Sequence, residues 1–352
     1  MNSPWLEKTG LLWLHATEGE NDFAEKLEGG VAVPETVRTL ATQARLGYCW
    51  AHLAQLYPHR TEFRPAAEKS FRLLQYSFAE TDVGYRIYDH SFYLLFMAWY
   101  FRISSDPKAI RLLMNRYSDI ERCFDNAGPG GFGPKPAGVR SHNPYMHLLE
   151  ATLAAFQSTQ DDYWLVQARR IVELFTSRLL DPSQRVVFEF RNPDWSVAAN
   201  GRVEIGHQME WPTLLIEMSE ISPAVCALRT KQHGPPTLTG IAEKLYEFGL
   251  EHGFEDGLAI DAVNGDGVAI DRRKLLWSQT EAARHFSIRA RVFKDEKAHA
   301  RASEHWRLIR QHFFRPDGWT WYNSLTAGGN PVEEPVFSRL LYHVVTAAAE
   351  AI

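Results

Sequence analysis

Apolar residues return at helical spacing along most of the chain, and clusters of Gly, Pro and small polar residues interrupt them. That pattern predicts twelve helices, over residues 2–16, 34–56, 66–79, 89–104, 106–124, 143–158, 161–180, 207–222, 236–253, 274–291, 295–314 and 334–351. Turn-rich stretches separate them, among them AGPGGFGPKPAG (127–138), QHGPPTLTG (232–240) and TAGGNPVEEP (326–335). RVVFEF (185–190) is the better of two strand candidates, and DGWTWYN (317–323) is the other. No Pro/Ser-rich linker, charge block or low-complexity tract divides the sequence. The expectation is one all-α domain over residues 1–352, with short β segments in its loops.

The helices fall into pairs. Six pairs can close on themselves, with an inner ring of six parallel helices inside an outer ring of six. The starts of the inner helices would then gather around one mouth, so every second helix should carry unusual polar groups near its start. The even members do. The second contains Gln43 and Arg45; the fourth opens with Tyr88, Asp89, His90, Ser91 and Phe92; the sixth opens with Asn143 and His147. The eighth opens GHQMEW (206–211), the tenth KLLWSQTEA (274–282), and the twelfth holds LLYHVVTA (340–347). Odd members such as DDYWLVQARRIVELF (161–175) show plain amphipathic patterning.

Bulk composition narrows the partners. The chain has 352 residues, 45% hydrophobic and 23% charged, which allows a sizeable core. A net charge of −5 gives no electrostatic reason to expect nucleic acid or an anionic membrane surface. No apolar run is long enough to span a bilayer, and no signal-peptide pattern opens the sequence. Three widely spaced cysteines, Cys49, Cys123 and Cys226, suggest neither a disulfide framework nor a zinc knuckle, so a reduced cytoplasmic setting is expected. Eleven tryptophans are first of all core fillers, and second, platforms for the apolar face of a sugar ring.

The residues able to do chemistry sit on those even helices. His207 and Glu210 are three apart and Asn143 and His147 four apart, so each pair shares a helix face. A histidine backed by a glutamate is a competent acid/base, because the carboxylate fixes the tautomer and raises basicity. The bland alternative is a core histidine satisfied by a carboxylate. Metal ligation by His207, Glu210 and His147 is a further alternative, but there is no HExxH and no third ligand at a diagnostic spacing. Asp89 reads equally as a helix N-cap. Arg45 lies in the apolar run LATQARLGYCWAHLA and needs a partner there. Pro144 and Pro212 are read as lying near helix starts. GxGxxG, GxxxxGK[ST] and GxSxG are all absent.

Taken in order, QARLGY, YDHSF, RSHNPYMHLLEATLA, GHQMEWPTLL, KLLWSQTEA and LLYHVVTA resemble the signature segments of the N-acylglucosamine 2-epimerase superfamily. That group includes mannose isomerases, cellobiose 2-epimerases and sulfoquinovose isomerases. The resemblance runs from about Arg45 to His343. It implies an (α/α)6 barrel, a metal-free and cofactor-free reaction at C2 of a reducing sugar, and a sugar as the only partner, with a homodimer left open. By this resemblance His207 and His343 are the acid/base pair. Arg45, Tyr88, Asn143, His147, Glu210, Trp211, Trp277, Gln279 and Glu281 surround the sugar. Pro212, Thr213, Leu276 and the GPGGFG loop depart from the usual pattern and bear on the substrate.

The implied chemistry is removal of the C2 proton from the open-chain aldose to give a cis-enediolate, with Arg45 stabilising the developing charge. Return of the proton to C1 yields a ketose; delivery to the opposite face of C2 yields the epimer. The segments favour aldose–ketose isomerisation of a mannose-like sugar. The alternatives are a 2-epimerase, a glycoside hydrolase using Glu210 and Glu281, and a non-catalytic sugar-binding protein.

Overall fold

The computed structural model describes residues 3–34, 37–76, 87–125, 133–134, 139–183, 185–199, 201–222 and 237–351. Twelve α-helices follow one another: α1 (Ser3–Thr17), α2 (Leu40–Leu56), α3 (Phe63–Tyr76), α4 (Ile87–Ser104), α5 (Pro107–Cys123), α6 (Asn143–Thr159), α7 (Asp162–Leu174), α8 (Ile205–Ile221), α9 (Leu238–His252), α10 (Leu276–Phe293), α11 (Glu296–His312) and α12 (Leu341–Glu350). The even helices pack in sequence, α2 on α4, α4 on α6, α6 on α8, α8 on α10 and α10 on α12, and α12 returns to α2. Each even helix from α2 to α10 also packs on the odd helix that follows it, and α1 lies against α2, α3 and α12. The result is an (α/α)6 barrel.

Burial follows that layering. An inner helix is covered from both sides, so α2 is buried without a break from Leu40 to Ala51 and α8 from Ile205 to Ile216. Outer helices bury one stripe; in α3 this comprises Phe63, Ala66, Ala67, Ser70, Phe71 and Leu74. The N-terminal helix is locked to the far end of the chain by tryptophans. Trp13 stacks on Trp321 at 4.5 Å and its indole donates to the Trp319 carbonyl at 2.9 Å. Cys49 is buried in α2 as a free thiol. Among the described residues, no helix is long and apolar enough to cross a membrane.

Several boundaries differ from the sequence expectation, each for a local reason. The second helix starts at Leu40 because the Thr39 hydroxyl caps it, accepting the Thr42 N–H. The twelfth starts at Leu341, after a two-residue strand at Val336–Phe337 and a 3₁₀ turn at Ser338–Leu340. Asp89 lies inside the first turn of α4 and is not its cap. Pro212 is not at a helix start: α8 begins seven residues earlier, so the Gln208 carbonyl has no helical N–H at residue 212. The predicted strand 185–190 contributes one isolated bridge, Val187 to Leu180, and one residue of the strand Phe190–Arg191. The predicted strand 317–323 is a turn with one bridge, Phe314 to Trp321. The GPGGFG loop, apart from Gly133, and Cys226 lie outside the described residues.

The β segments matter because they carry the loops over the mouth. Arg140–Ser141, just before α6, pairs antiparallel with Phe190–Arg191, in the register Ser141 opposite Phe190. Val203–Glu204, just before α8, pairs with Ala262–Val263, which pairs in turn with Ala269–Asp271. Lys274–Leu275, just before α10, pairs with Ser324–Leu325. Three inner helices are thus entered from short antiparallel pairs.

Candidate active site

Side chains near the starts of the inner helices meet one another in turn. Arg45 of α2 donates to the Tyr88 hydroxyl of α4 at 2.5 Å and lies 3.9 Å from the Phe92 ring centre. The Tyr88 ring touches His147 of α6, with centres 5.3 Å apart. His147 Nδ1 lies 3.7 Å from Glu210 of α8. His207 of α8 contacts Trp277 of α10 at 4.8 Å, and Trp277 contacts His343 of α12 at 5.9 Å. His207 and His343 therefore flank one indole. Each is 5% exposed, while Tyr88, Asn143 and Trp277 are half-buried at the rim. Asn143 opens α6 with Pro144 behind it, and its Oδ1 is buried without a hydrogen-bond partner.

Each of the two histidines has Nδ1 held by a carboxylate, which leaves Nε2 as its other ring nitrogen. His207 Nδ1 is 2.7 Å from Glu189 Oε1 and 3.4 Å from Glu204 Oε2. Its partner is not Glu210, as the i, i+3 spacing predicts. The strand register explains why: Ser141 opposite Phe190 brings the neighbours His142 and Glu189 side by side. His142 Nε2 is 3.0 Å from the same Glu189 oxygen, and His142 Nδ1 accepts the Trp211 indole N–H at 3.0 Å. Trp211 can only donate, so the His142 hydrogen sits on Nε2 and points at Glu189. Glu189 is a buried carboxylate; burial pushes its pKa up, but the two histidines outweigh burial and hold it well below the usual carboxylate range. Burial likewise opposes charge on His207, and the Glu189 charge and hydrogen bond, with Glu204 and Glu210 behind, raise it to about 9.

His343 has the opposite balance. Its Nδ1 is 2.6 Å from Glu281 Oε1. Burial, then the Arg45 guanidinium, push its pKa well down; Glu150 opposes this, and Arg284 and His207 add to it. Burial pushes Glu281 up to about 7 despite the pull of Arg284. His147 is also neutral: burial lowers it to about 4 although Glu150 Oε2 lies 3.3 Å from its Nδ1. Glu150 accepts the Tyr342 hydroxyl at 2.5 Å and is held down at about 2, where His147 and Arg284 outweigh its burial. Glu210 is fully buried, both its oxygens lack a hydrogen-bond partner, and burial beside Glu281 and Glu150 pushes it well up.

Two residues expected at the sugar are turned to other work. Gln279 spends its amide on backbone: Oε1 accepts the Ala259 N–H at 2.8 Å, and Nε2 donates to the Ala259 and Leu275 carbonyls. It pins the loop before α10. Trp211 is 0% exposed, stacked on Phe175 at 4.1 Å, and braces His142. His142, Glu189, Glu150, Tyr342 and Arg284 were not legible as site residues. His142 had a signal, since it adjoins Asn143 in SHNPYMH; Glu189 had none, lying in an aperiodic segment.

Two trios bring three ligand atoms within 4.8 Å of one another, His142–Glu189–His207 and His147–Glu150–Glu210. In the first, the hydrogen bonds just described already join all three side chains. In the second, Tyr342 occupies Glu150. Gly206 explains how Trp277 reaches His207. A Cβ at Gly206 would stand 2.2 Å from the Trp277 ring, so any side chain there displaces the indole. Gly206→Ala is expected to cost about 1–3 kcal/mol from overpacking. Urea unfolding followed by tryptophan fluorescence reads this directly, and an unchanged midpoint contradicts the close fit.

An (α/α)6 barrel with a histidine-lined mouth defines the class of this protein. The chain belongs to the N-acylglucosamine 2-epimerase (GlcNAc 2-epimerase) family, whose profile matches residues 23–347. It is 28% identical over 218 residues to a mannose-6-phosphate isomerase of Rhizobium meliloti (strain 1021), covering 59% of this chain and 54% of that protein. It is 27% identical over 244 residues to a D-mannose isomerase of Thermobifida fusca, covering 62% and 56%. The matches thus span about half the length of these curated relatives. In fold the chain resembles a crystal structure of D-mannose isomerase (TM-score 0.86, 20% identity, 99% and 96% covered). It also resembles cellobiose 2-epimerase from Bacillus thermoamylovorans B4167 (TM-score 0.83, 16% identity, 99% of each chain covered).

Proposed function

We propose that this protein is a sugar isomerase that interconverts an aldose and a ketose of the mannose–fructose type. One observation carries the reading: two histidines flank one indole, each with Nδ1 tied to a carboxylate, and their charge states are pushed apart. Opposed environments for two like groups are how one site holds a base and an acid at the same pH. Neutral His343 is the base that takes the C2 proton of the open-chain sugar. Charged His207 is the acid at the substrate oxygens. Arg45, Tyr88, Asn143 and His147 bind the sugar or its enediolate, Trp277 forms an apolar wall, and Glu281 orients the base. Donors aimed at the developing oxyanion contribute a few kcal/mol each. The names of the relatives, two of them mannose-type isomerases, support the substrate class.

A second reading, C2 epimerisation, is favoured by the charge on His207. A protonated imidazole across the indole from the base can deliver a proton to the opposite face of C2. Mannose in deuterated water separates the two: fructose labelled at C1 supports the isomerase, and glucose labelled at C2 the epimerase. Absence of both products, and of deuterium at C2, refutes the proposal. A hydrolase is not favoured, because Glu210 and Glu281 are both fully buried rather than facing each other across a sugar.

The pH dependence follows from the same groups. Activity needs Glu281 ionised, so that it accepts the Nδ1–H of His343, and His207 protonated. A bell-shaped kcat/KM profile is expected, rising through about 7 and falling through about 9. A profile flat from below 6 to above 10 would contradict both assignments.

A further inference from the structure

One guanidinium stands behind two of the histidine–glutamate pairs, His343–Glu281 and His147–Glu150. Arg284 lies one helical turn after Glu281 on α10 and is 4% exposed. Its Nη1 is 3.5 Å from Glu150 Oε1 and 3.7 Å from Glu281 Oε2, and its Nη2 donates to Glu217 Oε1 at 3.0 Å. Glu281 holds Nδ1 of His343; Glu150 holds Nδ1 of His147 and accepts the Tyr342 hydroxyl. Arg284 approaches these carboxylates from the end of the barrel away from the mouth. There a cavity of about 510 Å³ is lined by Tyr48, His52, Glu150, Glu217, Arg284 and Thr346, among other residues from the later turns of the inner helices.

The position matters because the His343–Glu281 pair holds one proton when Glu281 is ionised and takes a second from solvent when Glu281 is neutralised. An ionised Glu281 accepts Nδ1–H and leaves a lone pair on Nε2, where a carbon-bound proton can be received. A neutral Glu281 donates to Nδ1 instead, and the ring hydrogen moves to Nε2, where it blocks the base. The charged and titratable groups around Glu281 are His343 from α12, Arg284 on its own helix, Glu150 and His147 from α6, and His207 and Glu210 from α8. Around His343 stand Arg45 from α2, Tyr342 beside it, and Glu150, Arg284, His207 and Glu281. Burial and Glu150 favour a neutral Glu281. The cation nearest Glu281 on the other side of that balance is Arg284, if His343 is neutral.

We propose that Arg284 is a positioning residue, whose guanidinium reaches up from the closed end of the barrel and keeps Glu281 and Glu150 ionised. It thereby fixes His343 in the tautomer whose Nε2 accepts a proton. The proposal rests on the reading of His343 as the base. Arg284 touches no substrate, so its loss acts on proton state and not on sugar affinity.

The test is Arg284→Met, which keeps the bulk and removes the charge. The acid limb of the kcat/KM profile is expected to move up by at least about one unit, a loss of about ten-fold at pH 6, with KM within about two-fold. Arg284→Lys should hold the limb within about half a unit. A folded Arg284→Met enzyme whose acid limb stays in place overturns the proposal. If Met does not fold, Arg284→Ala purified with methylguanidinium, which can enter through the lower cavity, serves instead. The limb should return to its wild-type position as methylguanidinium is added; a limb indifferent to it overturns the proposal. Failure of the functional reading is separable, because ¹⁵N NMR of the His343 ring reads the tautomer without turnover. A switch from Nδ1–H to Nε2–H in Arg284→Met upholds the role of Arg284 even if no sugar reacts, and an unchanged tautomer refutes it even if one does.

Discussion

His343→Ala is expected to lower kcat for sugar conversion by on the order of 10²–10⁴-fold, the usual weight of a positioned general base, the role proposed for it. Deuterium exchange at C2 of the substrate is lost with it, because no other neutral imidazole flanks Trp277. The reason is geometric. His343 meets the indole from α12, opposite His207 from α8, and its Nδ1 is committed to Glu281. The fold survives this substitution. Removing the ring leaves Glu281 buried without its partner, but burial already pushes that carboxyl up to about 7, so it takes a proton instead of remaining an unpaired charge. Far-ultraviolet circular dichroism and a cooperative thermal transition check the fold; steady-state kinetics and the exchange assay check the loss. Wild-type turnover in a folded variant removes His343 from the mechanism.

Glu189→Gln is the second large effect, at a position with no helical periodicity around it. The amide keeps the shape and removes the charge that holds His207 protonated. Burial is then opposed only by Glu204 and Glu210, and His207 falls from about 9 toward its ordinary value of 6.5. The alkaline limb, expected near 9 in the wild type, moves down toward 6.5. At pH 8 the protonated fraction falls by up to about 30-fold, and activity with it. Stability responds with a definite sign. His207 is raised from 6.5 to about 9, so its contribution is complete below 6.5 and is lost as pH rises through about 9. Glu189 is lowered from 4.5, so its contribution is complete above 4.5 and is lost at lower pH. The stability gap between wild type and Glu189→Gln is therefore widest between 4.5 and 6.5, on the order of 3 kcal/mol, and narrows above about 9. Urea unfolding at several pH values measures it. A gap that does not vary with pH rejects the Glu189–His207 pairing as the source of the charge.

These two residues differ in how they could have been found. His343 stands in an apolar helix whose period is plain, and the alternation of polar-headed and plain helices marks it as a mouth residue. Glu189 stands in RVVFEF, which reads as a strand by composition and in the fold is mostly loop. Only the pairing of Ser141 with Phe190, 49 residues apart in sequence, sets Glu189 against His142 and His207. Spacing alone offered Glu210 as the partner of His207, and helix geometry does put the two on one face. The tertiary fold then gives His207 a closer carboxylate from a loop and turns Glu210 toward His147. Gln279 shows the same limit, since a glutamine amide at a helix start looks like a ligand-binding group until a nearby backbone claims it.

The amino-acid sequence by itself determined the twelve helices, their order, the inner and outer roles that alternate along the chain, and which helix starts are polar. Those are consequences of local periodicity, which each segment carries on its own. Tertiary structure alone decided which carboxylate backs which histidine, that Trp211 and Gln279 brace the site from behind, and that the environments of two imidazoles push one toward the protonated and the other toward the neutral form. A proton's residence depends on burial and on charges within a few ångströms, and in a closed ring of helices those neighbours come from all around the barrel.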